Sequence, residues 1–328
     1  MSNILRLNEL DNVGICKVAL PAGTQLITSD VRLATDVPAL HKVALRDIAA
    51  GDAILKYGQT MGFANQFIPA GAHVHVHNCV MGDADKDYGF CSKSTATEFV
   101  PEAERATFRG YKRINGKVGT RNYIGILTTV NCSATVARAI AQHFSFSGEL
   151  KNYPNIDGVV ALTHETGCGM RSDGEGYETL RRTFDGYARH PNFGGVMMVG
   201  LGCETMQVSR VLQESGLADS ETFCAYTIQD TGGTRVSIEK GIETLRKMLP
   251  LVNKAQRETV PASELMIGLQ CGGSDALSGV TANPALGIAG DILIRHGGTV
   301  ILSETPEIYG AEHLLTQRAA RPEIAEQL

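Results

Sequence analysis

Four cysteines occupy positions from which a side chain could do chemistry. Cys132 follows TTVN, Cys168 lies in THETGCG, Cys203 in GLGCE and Cys271 in LQCGGSD. Each stands just past an apolar, strand-like run and just before a helix-like one. In open α/β sheets that carboxyl edge is where ligands bind. A cysteine at a helix N-terminus has its thiolate favoured by the positive end of the helix dipole. Free amides in the glycine-rich turns can receive carboxylate oxygens. Free cysteine is also a common core residue, so any one of the four could be packing alone. Four in one topological slot point instead to a shared pocket. Acid–base and binding candidates stand beside them: His164 and Glu165, Glu204, and Gly272 with Ser274 and Asp275. Arg121 and Arg171 could clamp a carboxylate with two parallel bonds, although Arg171 reads equally well as solvated surface. Cys16 and Cys224 fall inside strand-like runs and read as core.

A second signal is the comb His73-Val74-His75-Val76-His77. On a strand, a period of two would set the three imidazoles on one face and the valines on the other. With nine histidines in 328 residues, such a triplet arises by chance in roughly one chain in a hundred or fewer. Neutral imidazole is the commonest protein ligand for iron, manganese or zinc, so the comb reads as a metal or acid-sugar site. Neighbours at i and i+2 are far enough apart that two of the three would share one ion. A polar strand face with incidental histidines is the plainer alternative.

The elements that must position these residues change period near residue 100. Before it, short β-like runs (VGICKVAL, TQLI, VRLATDV, HKVALRDI, AILKYG, HVHVHN) are punctuated by turns, including Pro-Ala-Gly at 21–23 and 69–71. This predicts a compact β-rich module over 1–80. Residues 81–107 are polar and without period, which predicts a surface linker. From 108 the chain alternates strand, turn and helix: strands at 123–130, 158–164, 195–202, 222–228, 264–270 and 299–304, each followed by a helical pattern. That alternation predicts a parallel α/β domain over 108–328, and the continuous apolar strands predict a sheet covered on both faces. The last helical pattern, RPEIAEQL, ends at Leu328 with no cap or closing strand, so the expectation is a chain without its C-terminal portion.

Composition narrows the class further. Thirty Lys and Arg against 35 Asp and Glu give a net charge of −5, unlike the concentrated basic stripe of a nucleic-acid binder. No apolar run reaches the eighteen or so residues of a membrane span. The N-terminus lacks the basic-then-apolar order of a signal peptide. Eight scattered cysteines then read as reduced thiols in the cytoplasm rather than as a disulfide framework.

GAHVHVHN, GYKRINGKVGTRNYIGILTTVNC, THETGCG, HPNFGGVMMVGLGCE and LQCGGSDALSGVTANPALG together resemble the altronate/galactarate dehydratase family, over essentially the whole chain. The resemblance implies a small β-clip module of the SAF type followed by a Rossmann-like parallel α/β dehydratase domain. HVHVHN is more similar to the altronate than to the galactarate branch. Members of the family continue into a region with a glycine- and lysine-containing motif that is absent here. The implied activity is a hydro-lyase converting D-altronate to 2-keto-3-deoxy-D-gluconate and water. Galactarate or a related acid is the alternative substrate, and a truncated sugar-acid-binding chain the non-catalytic alternative. An iron–sulfur lyase held by the four strand-end cysteines is a third reading. Fe(2+) or Mn(2+) is the implied cofactor, near His73, His75 and His77. His164, Glu165, Cys168 and Glu204 would be catalytic. Arg121, Cys132, Cys203, Cys271, Gly272, Ser274 and Asp275 would hold the substrate. The expected partners are a small-molecule sugar acid and, in a homo-oligomer, further copies of the chain, with no nucleic acid and no membrane.

Overall fold

The computed structural model describes residues 3–27, 30–83, 86–275 and 277–328. They form two compact units. The first comprises residues up to Phe99 together with Met266–Arg295 and Thr299–Leu328; the second comprises Val100–Leu265 with His296–Gly298.

In the first unit the N-terminal residues make two small antiparallel sheets. β1 (Ile4–Leu5), β2 (Val13–Cys16), β3 (Lys42–Ala44) and β6 (His73–Val74) lie side by side in that order. β4 (Ala53–Lys56), β5 (Gln59–Ala64) and β7 (Cys79–Val80) form the other. Strands this short bury little alone, and they close over cores of Val13, Ile48, Ile54, Ile68 and Val74, and of Ile4, Leu26, Leu33 and Val43. Both Pro-Ala-Gly turns place the glycine in the left-handed region, Gly23 at φ +82° and Gly71 at φ +83°. Gly71 has a second constraint, because a Cβ there would lie 2.1 Å from the Arg32 carbonyl oxygen.

The second unit opens with a three-stranded antiparallel sheet of β8 (Thr107–Lys112), β9 (Val118–Gly119) and β14 (Glu258–Pro261), ordered β14-β8-β9. Its main element is a parallel sheet, β11-β10-β12-β13, built from β10 (Tyr123–Thr128), β11 (Gly158–Leu162), β12 (Phe193–Gly200) and β13 (Phe223–Thr227). Five helices join or follow its strands: α1 (Ala134–Phe146), α2 (Glu175–Ala188), α3 (Val208–Ser215), the short α4 (Ile228–Thr231) and α5 (Thr234–Val252). Alternation along each strand sorts the side chains between two layers. Ile124, Ile126, Met197 and Val199 pack with Ile140 and Phe144 of α1 and Leu245 and Met248 of α5. Leu127, Val196 and Met198 pack with Tyr177, Leu180 and Phe184 of α2 and Val211 of α3. The double covering is why these strands read as unbroken apolar runs.

The sequence rhythm predicts six strands in one sheet, and here the fold differs. β15 (Met266–Leu269) and β16 (Thr299–Leu302) pair in parallel with each other in a separate two-stranded sheet, joined by α6 (Ala282–Arg295), and belong to the first unit. Two short helices, α7 (His313–Thr316) and α8 (Pro322–Glu326), follow. Local period reports that a strand is followed by a helix; it carries no record of which edge that strand pairs with. The polar stretch after β7 is largely without regular structure, yet it is tied down. Cys91 and Lys93 donate backbone N–H groups to the Thr316 and Gln317 carbonyls. Thr316 and Gln317 return side-chain bonds to the Tyr88 and Asp87 carbonyls.

Candidate active site

Three loops leave the carboxyl edge of the parallel sheet and are stitched together by backbone and side-chain bonds. After β10 the chain stays extended at Val130, then tightens into a 3₁₀ turn over Asn131–Ser133 that feeds α1. The Asn131 N–H donates to the Thr166 carbonyl at 2.9 Å, which pulls the loop after β11 onto the loop after β10. Gly167 permits that approach: its φ is +100°, and a Cβ would come within 2.7 Å of the Thr129 carbonyl oxygen. The loop after β12 is fixed by Glu204, which is buried at 4% exposure. Glu204 accepts from the Thr129 hydroxyl at 2.7 Å, the Leu201 N–H at 3.1 Å and the Gly202 N–H at 2.5 Å. Gly200 leaves room for this carboxylate, since a Cβ would fall 2.4 Å from Glu204 Oε1.

These bonds gather Cys132, Cys168 and Cys203, all exposed free thiols. The helix N-terminus predicts an acidified Cys132, and the structure reverses this. Loss of water around its sulfur pushes the Cys132 thiol up, and the neighbouring Cys168 and Cys203 act in the same direction, Cys168 also through a hydrogen bond. A thiolate at Cys132 would be repelled by negative charge on its neighbours, which adds to the upward push.

His164 lies at the same edge with both ring nitrogens engaged. Nδ1 accepts the Thr166 N–H at 3.2 Å, which leaves Nε2 to donate to the Thr128 carbonyl at 2.8 Å. That pattern fixes a neutral tautomer and makes His164 a brace for the loop carrying Glu165 and Cys168. Glu165 is exposed. Arg171 is exposed and paired with Asp173 at 3.0 Å.

Two groups of expected substrate ligands stand on other elements of the fold. Arg121 stands two residues before β10, at the amino end of the sheet opposite Cys132, and its backbone bonds to Asn192 and Arg113. Six residues of strand separate the two ends, about 20 Å, so Arg121 does not join the cysteines. Cys271, Gly272, Ser274 and Asp275 follow β15, in the other sheet and the first unit. There the Cys271 Sγ lies 3.3 Å from Ser274 Oγ, and the Cys271 N–H donates to Glu304 at 2.7 Å. Asp275 accepts the N–H groups of Leu277 and Ser278 at 2.7 and 2.8 Å, opening the turn before α6. Glu304, at φ +63°, is a non-glycine residue in the left-handed region and had no sequence signal.

The histidine comb gathers its imidazoles by another route than strand alternation. Only His73 and Val74 are strand; His75–Asn78 form a turn. Val74 is fully buried and Val76 is 78% exposed, so the valines do not share a face. The turn is held by Asn78, whose Oδ1 accepts the His75 N–H at 2.9 Å and whose Nδ2 donates to the His73 carbonyl at 2.9 Å. It brings the His75 and His77 rings within 5.6 and 5.5 Å of the His73 ring. A fourth imidazole, His41, joins them, with Nδ1 2.8 Å from His73 Nε2. Sequence reading missed it because His41 stands 32 residues away with no motif around it. No set of three or more His, Cys, Asp or Glu side chains among the described residues closes around one ion as the side chains stand. The convergence of two imidazole nitrogens nevertheless suits a divalent transition metal.

Comparison with known proteins matches three segments of the chain to one family. Residues 2–82 match the Altronate/galactarate dehydratase SAF domain, residues 110–253 the D-galactarate dehydratase/Altronate hydrolase second domain, and residues 262–328 the D-galactarate/Altronate dehydratase C-terminal domain. The chain is 35% identical over 330 residues to the altronate dehydratase of Bacillus subtilis (strain 168), an alignment covering 99% of this chain and 64% of the relative. It is 38% identical over 313 residues to the altronate dehydratase of Escherichia coli (strain K12), covering 95% and 62%. It is 39% identical over 332 residues to the galactarate dehydratase (L-threo-forming) of Escherichia coli (strain K12), covering 99% and 63%. The chain therefore spans a little under two thirds of the length of these curated relatives.

Proposed function

The chain belongs to the altronate/galactarate dehydratase family, and from that premise we propose that it takes part in dehydrating a sugar acid, with D-altronate converted to 2-keto-3-deoxy-D-gluconate and water. The observation that carries this reading is the stitching of three strand-end loops around Glu204, which collects Cys132, Cys168, Cys203 and Glu165 at one sheet edge. Removing a proton α to a carboxylate needs a base, a means of stabilising the enediolate, and an acid for the departing β-hydroxyl. In this proposal Glu165 takes the α-proton and His164 holds its loop in place. Cys168 delivers a proton to the leaving hydroxyl. Cys132, whose thiol is pushed up by loss of water and by the neighbouring sulfurs, and Cys203 face the substrate oxygens. Glu204 fixes the loop geometry from beneath. Fe(2+) or Mn(2+) is the metal this reading implies, with His73, His75 and His77 of the first unit as its proposed holders.

All eight cysteines are free thiols, the state a reducing compartment preserves, so the proposal keeps the chain in the cytoplasm. No helix among the described residues is long and apolar enough to cross a membrane. The partners proposed are the small-molecule acid and, in a homo-oligomer, further copies of the chain.

The test is a panel of aldonates and aldarates, assayed anaerobically with added iron(II). Altronate as the preferred acid supports the proposal. Preference for galactarate, whose dehydratase relative is similar at 39% identity, moves the substrate but keeps the chemistry. Binding of acids without water loss would leave a sugar-acid-binding chain.

A further inference from the structure

β12 and β13 pair in register through Gly200 and Thr227, so the residues just past their ends run alongside one another. Gln229, in the short helix α4, is exposed at that end. Its N–H donates to the Leu201 carbonyl at 3.0 Å, and its carbonyl accepts the Gly232 N–H at 3.2 Å. Its side chain lies along the turn that carries Cys203: a Cβ on Gly202 would fall 2.5 Å from Gln229 Oε1 and 3.1 Å from its Cδ. Gly202, at φ +123° and without a Cβ, leaves that space. Among the described residues no side-chain hydrogen bond engages the Gln229 amide. The backbone of Gln229 is fully bonded, so what it adds at this edge is one carbonyl acceptor and two N–H donors with no protein partner. Beside it, the exposed Asp230 accepts the Thr227 hydroxyl at 2.5 Å and sets a carboxylate at the same strand end.

We propose that Gln229 determines specificity by reading the distal hydroxyls of the acid, and that it selects an aldonic acid over an aldaric one. This rests on the sugar-acid reading of the same sheet edge. In the order β11-β10-β12-β13, Glu165 and Cys168 follow the first strand, Cys132 and Cys203 the two middle ones, and Gln229 the last. Neighbouring strands stand about 4.8 Å apart, so the two outer strand ends are about 14 Å apart. A six-carbon acid whose reacting carbons lie at Glu165 and Cys168 therefore directs its far end toward β13. There a neutral amide can donate to one hydroxyl and accept from the next. A second carboxylate, as an aldaric acid carries, would meet the Asp230 carboxylate beside that amide, and like charges at close range repel. A site built to bond a hydroxyl also loses most when the hydroxyl is absent, because its own polar group is then left unpaired.

The experiment measures binding to the full chain by calorimetry, with D-altronate, galactarate and glycerate, a three-carbon hydroxy acid that lacks the distal hydroxyls. The parent should prefer altronate. Gln229→Leu should weaken altronate binding about fivefold to tenfold, the loss expected for one hydrogen bond, and leave glycerate unchanged. Gln229→Lys, which sets a cation at the same point, should bring galactarate to at least the affinity of altronate. Melting of each variant controls for folding, and if Gln229→Leu does not fold, Gln229→Lys carries the test. Equal weakening of altronate and glycerate overturns the assignment, because a distorted site loses both alike. Unchanged altronate affinity in folded Gln229→Leu overturns it too, as does an unaltered preference in Gln229→Lys or a parent that prefers galactarate. A parent that binds none of the three acids sinks the sugar-acid reading and this assignment with it. A parent that prefers altronate, with variants that keep its whole profile, sinks this assignment alone.

Discussion

In β12, Met197 and Val199 turn toward α1 and α5 while Val196 and Met198 turn toward α2 and α3, and all four are at most 4% exposed. In β16, Ile301 and Leu302 are 46% and 56% exposed. Both strands are parallel, apolar and followed by a helical segment. The first sits third in a sheet of four with helices on both faces. The second pairs with β15 alone, and of α6 only Gly290 is buried. The same strand–helix pattern therefore yields a rigid platform in one unit and a thinly covered pair in the other. A platform suits a site whose loops must be held within fractions of an ångström, because sites on well-packed elements are the more precise. That is where Cys132, Cys168, Cys203 and Glu204 lie.

The largest expected effect breaks the comparison at its centre. Met197→Ala or Ile126→Ala, each at a fully buried position, should cost about 2–5 kcal/mol in denaturant unfolding. Ile301→Ala should cost about 0.5 kcal/mol or less, as expected away from a packed core. Similar losses at the two sites would show that β16 is covered in solution. The next effect concerns the anchor of the loops. Glu204→Ala leaves the Thr129 hydroxyl and two amides without their acceptor, for a cost of about 1–3 kcal/mol and a sharp fall in turnover. Glu204→Gln should recover most of the stability; loss of turnover with both variants and stability with neither would assign Glu204 to the chemistry itself.

A smaller effect tests how the helices over the platform are tied. Glu149 bonds to Arg246 of α5 at 2.8 Å and to His143 of α1 at 2.7 Å. The Arg246 bond, with His143 adding to it, holds its carboxyl down at about 2. A carboxyl depressed in the fold contributes stability that is complete above its ordinary value near 4.5 and is lost as pH falls toward 2. Glu149→Gln should therefore cost about 1 kcal/mol or less at neutral pH, with variant and parent converging between pH 4.5 and 2. A constant difference across that window would assign the loss to packing.

The last prediction reads only the order of alkylation. Cys16 and Cys224 are pushed up to about 11 by burial, so they should label far behind Cys168, Cys203 and Cys271 at pH 8. A sugar acid should slow labelling at Cys132, Cys168 and Cys203. Protection at Cys271 as well would extend the site to the loop after β15, and protection at none would remove the thiols from it.

Much of the scaffold was legible in the residues. Unbroken apolar runs at 123–128 and 193–200 mark doubly covered strands, and the two Pro-Ala-Gly turns need their glycines at positive φ. The histidine comb was half legible. Its composition marked a cluster of imidazoles, but the alternation argument failed because Asn78 closes a turn at His75. Helix-end acidification of Cys132 was also a sound local argument, overridden by loss of water around its sulfur and by two sulfurs supplied from other loops.

The sequence by itself determined the element types, their order and the positions just beyond the strand ends, because period, turn chemistry and capping act within a few residues. Tertiary structure alone decided that β15 and β16 leave the main sheet, that Arg121 stands at the opposite edge from Cys132, that Glu204 turns inward to bind Thr129, and that His41 meets His73. Each of these joins residues 32 or more positions apart or selects one pairing edge among several. Such choices follow from which apolar faces can be covered together, a property of the whole packed chain that no local pattern records.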